Sequence, residues 1–222
     1  MHGGVRAVKP YYQDDSVCIY HGDCREILPG LEVDVMVTDP PYGISHSSNG
    51  GPGGQASWGS NPICGDEDTG ARDFAIGAMH GKACAVFGTW KIPRPPEARG
   101  VLIWDKGTTG MGDLSFPWKL SFEEIYIIGN GWAGKRDEGV IKGMAAPYSE
   151  SAGRVHPHEK SVALLKHLIG KAPAGVIVDP FMGSGTTLRA AKDLGRKAIG
   201  IEIEERYCEI AARRLCQEVL PL

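Results

Sequence analysis

The segment VMVTDPPY, from Val35 to Tyr42, combines residues that could bind and activate a conjugated amino group. Its apolar, β-branched start predicts a buried strand, which Pro40 and Pro41 must end because proline donates no backbone hydrogen bond. The Asp39 carboxylate and the Pro40 carbonyl are two acceptors whose direction the prolines fix. Such acceptors can stabilise positive charge that develops on the poorly nucleophilic amino nitrogen of a nucleobase. Tyr42 offers a flat face on which an extruded base could stack.

A second segment with chemical potential is VIVDPFMGSGTTLRAA, residues 176–191, which predicts a strand, a glycine-rich turn and a helix. Gly183 and Gly185 permit close backbone approach by a ligand, and Asp179 ends the strand. No lysine follows Gly185 and the GxGxxG spacing is incomplete, which weakens a phosphate-loop or dinucleotide interpretation. Glu202 ends the next strand, where an acid can accept hydrogen bonds from ribose hydroxyls. The glycine-rich turn and Glu202 together favour an adenosine-containing ligand that is bound without a phosphate-binding loop.

These segments resemble known motifs. Asp39-Pro40-Pro41-Tyr42 is similar to the catalytic motif of amino-directed DNA methyltransferases, and residues 178–185 resemble their S-adenosylmethionine motif. The catalytic motif precedes the cofactor motif, which is the permuted order of the β group of that family. Residues 156–169 resemble the HPxxKP cofactor motif, with Ser161 in place of its proline. Residues 20–24, YHGDC, resemble the segment that lies near the cofactor adenine.

The resemblance implies direct, in-line methyl transfer from S-adenosylmethionine to an amino nitrogen of double-stranded DNA, with the target base flipped out. Aspartate at the first motif position favours N6 of adenine, and N4 of cytosine is the alternative. The implied catalytic residues are Asp39, Pro40, Pro41 and Tyr42. The implied cofactor-binding residues are Asp23, Cys24, Asp39, His156, Lys160, Asp179, Pro180, Phe181, Gly183, Ser184, Gly185, Thr186 and Glu202. A cognate restriction endonuclease is a further implied partner, whereas the oligomeric state stays undetermined.

Other functions remain open at this point. Methylation of an RNA base or a protein glutamine uses a similar motif, but usually with the cofactor motif earlier in the chain. An inactive module that binds DNA or a nucleotide is another alternative, although the intact motifs argue against a loss of catalytic activity. C5-cytosine chemistry is disfavoured because it would need a cysteine in a Pro-Cys context, and none of the six cysteines follows a proline.

The elements that must position these residues alternate between strands and helices. This alternation predicts an α/β, Rossmann-like fold with a mainly parallel, doubly wound sheet and helices on both faces; the resemblance implies the class I methyltransferase version, as one permuted domain over residues 1–222. Helices are expected within residues 159–173, 186–195 and 204–217. Strands are expected at residues 17–22, 33–39, 83–88, 101–105, 123–129, 175–180 and 197–203.

Two segments do not fit this alternation. Residues 43–75 are rich in Gly, Ser, Asn and Pro and predict a long loop that is either functional or disordered. Residues 130–155 form a short segment that could recognise the DNA target. Its basic residues are diluted by acids, so a solvated loop is an equally good interpretation. These basic residues are Lys135, Arg136, Lys142 and Arg154.

Composition sets broader bounds. The chain has 222 residues, 42% of them hydrophobic, and a net charge of −3, which neither favours nor excludes nucleic acid. It lacks a secretory h-region and any apolar run of the roughly 18 residues that a membrane span needs, so we expect no membrane partner and a cytoplasmic location. The resemblance implies that the cell is bacterial or phage-infected. The cysteines and the HPH sequence at His156 lack metal-ligand spacing, so no metal is expected.

Overall fold

The computed structural model describes residues 8–42, 68–107, 115, 117–118, 121–144 and 160–216. Nine strands within these ranges form one sheet. The strands are β1 (Tyr12–Gln13), β2 (Val17–His21), β3 (Val35–Thr38), β4 (Ala83–Gly88), β5 (Ala98–Asp105), β6 (Phe122–Ile128), β7 (Val140–Lys142), β8 (Ile177–Asp179) and β9 (Ala198–Glu202).

Five α-helices accompany the sheet, and local sequence explains how several of them begin. They are α1 (Cys24–Ile27), α2 (Gly70–Ala78), α3 (Val162–Lys171), α4 (Thr186–Asp193) and α5 (Glu205–Cys216). A 3-10 turn at Leu28–Gly30 follows α1. Ser161 caps α3 by accepting a hydrogen bond from the Leu164 N–H, and Gly185 begins α4 in the left-handed conformation.

The sheet has the strand order β1-β2-β9-β8-β3-β4-β6-β5-β7. Strands β2, β9, β8, β3 and β4 are mutually parallel and form its centre. Strand β6 lies antiparallel between β4 and β5, and β7 adds a parallel edge strand to β5. The expected α/β fold with a mainly parallel sheet is therefore confirmed, but the sheet is mixed rather than uniformly parallel.

Both faces of the sheet are covered, as the continuously apolar strands predicted. One core cluster joins Val35, Val37 and Phe87 to apolar side chains of α3, α4 and α5. The other joins Met36 and Val86 to side chains of α1 and α2. Alternate residues of β3 therefore face opposite cores, which is why the whole strand is buried.

The structure corrects the predicted loop at residues 43–75, because residues 70–75 belong to α2; residues 43–67 lie outside the described ranges. Helix α2 buries Ala75 and Ile76 against the sheet, a pattern that its glycines concealed in the sequence. The structure also adds the strand β7 within the predicted recognition segment. None of the described helices is long and apolar enough to cross a membrane.

Candidate active site

The predicted catalytic and cofactor segments meet at the carboxyl edge of the sheet. Strands β8 and β3 are parallel neighbours, so Asp179 at the end of β8 and Asp39 just beyond β3 emerge at the same edge. The buried Thr38 hydroxyl donates a hydrogen bond of 2.6 Å to Asp179 Oδ1 and joins the two strand ends directly. Two segments about 140 residues apart in sequence thus form one site.

Asp39 is held from two sides. The Tyr42 hydroxyl donates a 2.5 Å hydrogen bond to Oδ1, and Lys160 Nζ lies 2.7 Å from Oδ2. Burial, followed by the negative charge of Asp39, raises the pKa of Tyr42 well above its ordinary value. The Tyr42 phenol is therefore a persistent donor at neutral pH, and Pro40, which is buried, fixes the chain between Asp39 and Tyr42.

Lys160 was expected to contact the cofactor, and the structure places its ammonium at Asp39. It is only 9% exposed and also lies 2.9 Å from Glu123 Oε2. Burial by itself would lower the pKa of Lys160, but the carboxylates of Asp39 and Glu123 outweigh it and raise that pKa. Lys160 stays charged, and the Ser161 cap of α3 fixes the backbone beside it, where the motif usually has proline.

The glycine-rich turn has the geometry that its sequence predicted. Gly185 adopts a φ of +79°, and a Cβ there would lie 2.8 Å from the Ala211 Cβ of α5. Gly183 has a φ of +49°, and no described atom lies within 4 Å of the position its Cβ would take. A ligand can therefore reach the backbone at Gly183, while Gly185 allows the turn to pack on α5.

Two buried carboxylates flank this turn. Asp179 Oδ1 accepts from the Phe181 N–H at 3.1 Å, and Glu202 Oε2 accepts from the Gly183 N–H at 3.0 Å. Burial raises the pKa of Asp179 to about 6 against the opposing hydrogen bonds from Thr187, Thr38 and Phe181.

Burial also raises the pKa of Glu202, although hydrogen bonds from the N–H groups of Glu204 and Gly183 act to lower it. A cationic ligand rich in hydroxyl groups would favour the ionised form of both acids. S-adenosylmethionine has this chemistry, because it carries a sulfonium, an ammonium and a ribose.

The remaining predicted cofactor residues occupy varied positions. Asp23 caps α1, next to the end of β2, where the Gly22 N–H donates to the Glu202 carbonyl. Arg25 lies 2.6 Å from Asp23 and, as the largest cause, lowers the pKa of that carboxyl. The Cys24 side chain packs in the core, so only its backbone is placed to contact a ligand. His156 lies outside the described residues.

Pro180, Ser184 and Thr186 are buried at the turn. Arg214 of α5 reinforces this region, donating to the Ser184 carbonyl at 3.2 Å and to the Thr186 hydroxyl at 3.0 Å. Sequence reasoning missed this contact, because the local pattern predicts only that Arg214 lies in a helix within residues 204–217. It also missed Glu123, although two adjacent acids in an apolar strand are a signal of buried polar function.

In the predicted recognition segment, strand β7 returns to the carboxyl edge of the sheet, where Lys142 lies beside Asp105, the last residue of β5. The stretch before β7 packs at the opposite edge of the sheet. It follows the end of β6, where the Ala133 N–H donates to the Lys171 carbonyl of α3 and Asp137 pairs with Lys171 at 2.9 Å. Trp132, Arg136 and neighbouring residues line a groove of about 280 Å³ there. Lys135 and Arg136 are therefore separated by the sheet from Asp39. Arg154 is outside the described residues.

Comparison with known proteins decides the family. A model described as DNA methylase, of the N6/N4 methyltransferases, matches residues 103–213, half of the 222-residue chain. The chain belongs to the N6/N4 DNA methylase family. It is thus an S-adenosylmethionine-dependent methyltransferase that acts on N6 of adenine or N4 of cytosine in DNA.

Curated relatives agree with this family. The type II methyltransferase M2.LlaDCHI of Lactococcus lactis subsp. cremoris is 26% identical over 265 residues, which cover 96% of this chain and 94% of the relative. The type II methyltransferase M.ScaI of Streptomyces caespitosus is 26% identical over 272 residues, covering 96% and 86%.

Solved structures share the fold of this N6/N4 methylase. The M1.HpyAVI–SAM complex is 21% identical, with a TM-score of 0.63, over 89% of this chain and 99% of that one. The cytosine-N4-specific PvuII DNA methyltransferase is 15% identical, with a TM-score of 0.69, over 97% and 92%. The class I methyltransferase fold that the motifs implied is therefore confirmed.

Proposed function

We propose that this enzyme methylates N6 of adenine in double-stranded DNA, on a base flipped into the site at Asp39. The observation that carries the proposal is the direct link between the two strand ends, in which Thr38 bonds Asp179 at 2.6 Å and Asp39 follows immediately. This link brings an acceptor for an amino group beside a turn suited to the cofactor. The proposal treats residues 1–222 as one permuted domain of the β group, as the motif order supports.

The proposed catalytic roles follow from the contacts of Asp39. Its carboxylate and the Pro40 carbonyl would accept hydrogen bonds from the target amino group and stabilise the positive charge that develops on nitrogen. Pro40 and Pro41 would keep these acceptors fixed, so that little reorganisation is needed during transfer. Tyr42 would contact the base, with its hydroxyl anchored on Asp39 at 2.5 Å. The proton lost from nitrogen would leave to water.

The cofactor would lie on the turn from Phe181 to Gly185. Glu202 would accept from the ribose hydroxyls, and the ionised Asp179 would offset the positive charge of the cofactor. When bound, S-adenosylmethionine supplies a methyl group on a sulfonium, whose carbon–sulfur bond breaks as the carbon–nitrogen bond forms. The further proposed contacts are Asp23, Cys24, Asp39, His156, Lys160, Pro180, Ser184 and Thr186.

Adenine is proposed over cytosine because aspartate occupies the first position of the motif. The likeness to the cytosine-N4-specific PvuII enzyme supports the fold alone at 15% identity, and therefore does not favour cytosine. Nucleoside mass spectrometry of DNA from expressing cells tests the choice, and we expect N6-methyladenine. N4-methylcytosine in its place would contradict the choice of base and leave the family intact.

The proposed role of Asp39 is tested by Asp39→Ala, assayed with labelled cofactor on separate DNA, RNA and protein acceptors. We expect transfer to DNA to fall on the order of 10²–10³-fold, with cofactor binding largely retained. The exposed Asp15→Ala is the matched control and should behave as wild type. Transfer to RNA or protein alone would contradict the DNA substrate, and wild-type binding without any transfer would favour an inactive module.

The bacterial type II relatives support a cytoplasmic role in a bacterial or phage-infected cell, with a cognate restriction endonuclease as partner. Methylation-sensitive sequencing of DNA from an expressing cell would give the recognition sequence. An endonuclease cutting the same sequence only when unmethylated is the expected partner. Failure of any nuclease encoded beside the gene to recognise that sequence would contradict the pairing.

A further inference from the structure

A partly buried chain of alternating charges, with Lys160 at its buried centre, runs from the active site along the carboxyl edge of the sheet. It begins at Asp39, passes through Lys160 to Glu123 of β6, and ends at Lys106, whose Nζ donates to Glu123 Oε1 at 2.8 Å. The Lys160 ammonium also lies 4.9 Å above the ring of Phe87, on the intervening strand β4. These contacts connect Asp39, which follows β3, to Lys106, which follows β5.

The sharing of Lys160 between two acids is the informative feature. Its contact with Glu123 Oε2 is an ion pair by distance, 2.9 Å, without the alignment of a good hydrogen bond. Burial would raise the pKa of Glu123, but Lys160 and Lys106 outweigh it and lower that pKa, so Glu123 is ionised at neutral pH. Lys160 is therefore shared between Asp39 and Glu123, whereas Lys106 pairs with Glu123.

We infer that Glu123 is a positioning residue for methyl transfer. It attracts the Lys160 ammonium and so reduces the effect of that positive charge on Asp39. This inference rests on the proposed function. Asp39 already accepts from Tyr42 on one oxygen and contacts Lys160 on the other. A carboxylate has about four acceptor positions, so room remains for the target amino group. How strongly Asp39 accepts from that group depends on how much of the Lys160 charge Glu123 shares.

Removing the charge of Glu123 tests this role. In Glu123→Gln, Lys160 would pair with Asp39 alone, which weakens Asp39 as an acceptor. With labelled cofactor and duplex DNA, we expect kcat to fall roughly 10- to 100-fold, while the dissociation constant of the cofactor stays close to that of wild type. Glu123→Asp, which keeps the charge, should recover part of the loss.

The split between kcat and cofactor affinity separates positioning from mere stabilisation. A loss of folded protein lowers apparent kcat and the number of cofactor sites together, whereas a positioning role lowers kcat per cofactor site. We therefore expect Glu123→Gln to bind the cofactor as wild type does and to turn over more slowly per bound cofactor.

Glu124→Gln is the matched control. Glu124 is the next residue of β6, is 2% exposed and pairs with Arg94 at 2.5 Å, but faces the other side of the sheet. Its substitution should reduce stability without lowering kcat per folded molecule. Equal behaviour of the two variants, once corrected for folded fraction, would overturn the role of Glu123. A wild-type protein that transfers no methyl group would overturn the proposed function as well, so the two failures are distinguishable.

Discussion

Asp179 shows how a single buried acid links the cofactor site to stability. Burial raises its pKa to about 6 from an ordinary value of 3.8, so between these values the folded protein holds a proton that the unfolded chain has lost. Stability from this group is therefore lost as pH rises from about 4 to 6. Relative to Asp179→Asn, we expect the wild-type free energy of unfolding to fall by about 3 kcal/mol across this window, measured by urea unfolding.

Asp14 provides a control of the opposite sign. Burial would raise its pKa, but Lys192 and the N–H groups of Ser16 and Val17 lower it to about 2. The stability that this acid contributes is present above its ordinary pKa and lost only as pH falls towards 2. The difference between wild type and Asp14→Asn should therefore stay flat from pH 4 to 7. A flat difference for Asp179→Asn as well would contradict the raised pKa of Asp179.

At the scale of elements, helix α5 packs against the proposed cofactor-binding turn, residues 181–185, and against the start of α4. Ala211 packs against Gly185, and Arg214 donates to Ser184 and Thr186. Arg214→Gln should loosen the turn and weaken cofactor binding by about tenfold, corresponding to a loss of about 1–2 kcal/mol of hydrogen bonding. Isothermal titration with S-adenosylmethionine measures this change. We expect kcat at saturating cofactor to stay near that of wild type.

The neighbouring Arg213 separates this effect from a general loss of helix charge. It is 77% exposed on the same last turn of α5 and pairs with Glu209 rather than with the cofactor turn. Arg213→Gln should leave cofactor affinity unchanged, because exposed ion pairs contribute little. If both substitutions weaken binding equally, the contact from Arg214 to the turn is not what supports the site.

The elements best predicted from sequence were those with a strong local pattern. The apolar strands β3, β4, β8 and β9 and the helices α3, α4 and α5 form where the sequence placed them, give or take their end residues. Helix α2 was missed because it begins at Gly70, directly after a glycine-rich segment, and has a second glycine, Gly77, near its end. The short edge strand β7 has only Ile141 buried, too little for an alternation to be seen.

Long-range pairing limited what sequence could predict of the site. The motifs indicated Asp39, Asp179 and Glu202, and the structure brings these acids to one edge of the sheet. The contact between Lys160 and Glu123 depends on β6 lying antiparallel beside β4, and neither strand's sequence specifies that neighbour. The adjacent acids of β6 could signal a buried polar group, but local sequence does not identify Lys160 as the partner of Glu123, or Ser184 and Thr186 as the partners of Arg214.

At the scale of the whole molecule, a net charge of −3 means that the protein as a whole does not attract the negatively charged DNA phosphates. DNA binding must therefore rely on individual basic side chains at the carboxyl edge of the sheet, where Asp39 lies. Lys91 is exposed just beyond the end of β4, beside Trp90, which is 55% exposed. Because β4 is the parallel neighbour of β3, these residues share the carboxyl edge with Asp39.

Lys91→Gln should therefore remove one phosphate contact. We expect affinity to fall equally for duplexes with and without the recognition sequence, because phosphate contacts carry no base information. The slope of log affinity against log salt concentration should become shallower by about 0.9, as measured by fluorescence anisotropy. Arg136→Gln, at the opposite edge of the sheet, should leave the slope unchanged. The reverse result would mean that DNA approaches the edge formed by the end of β6, far from Asp39, and would contradict the proposed path of the target base into the site.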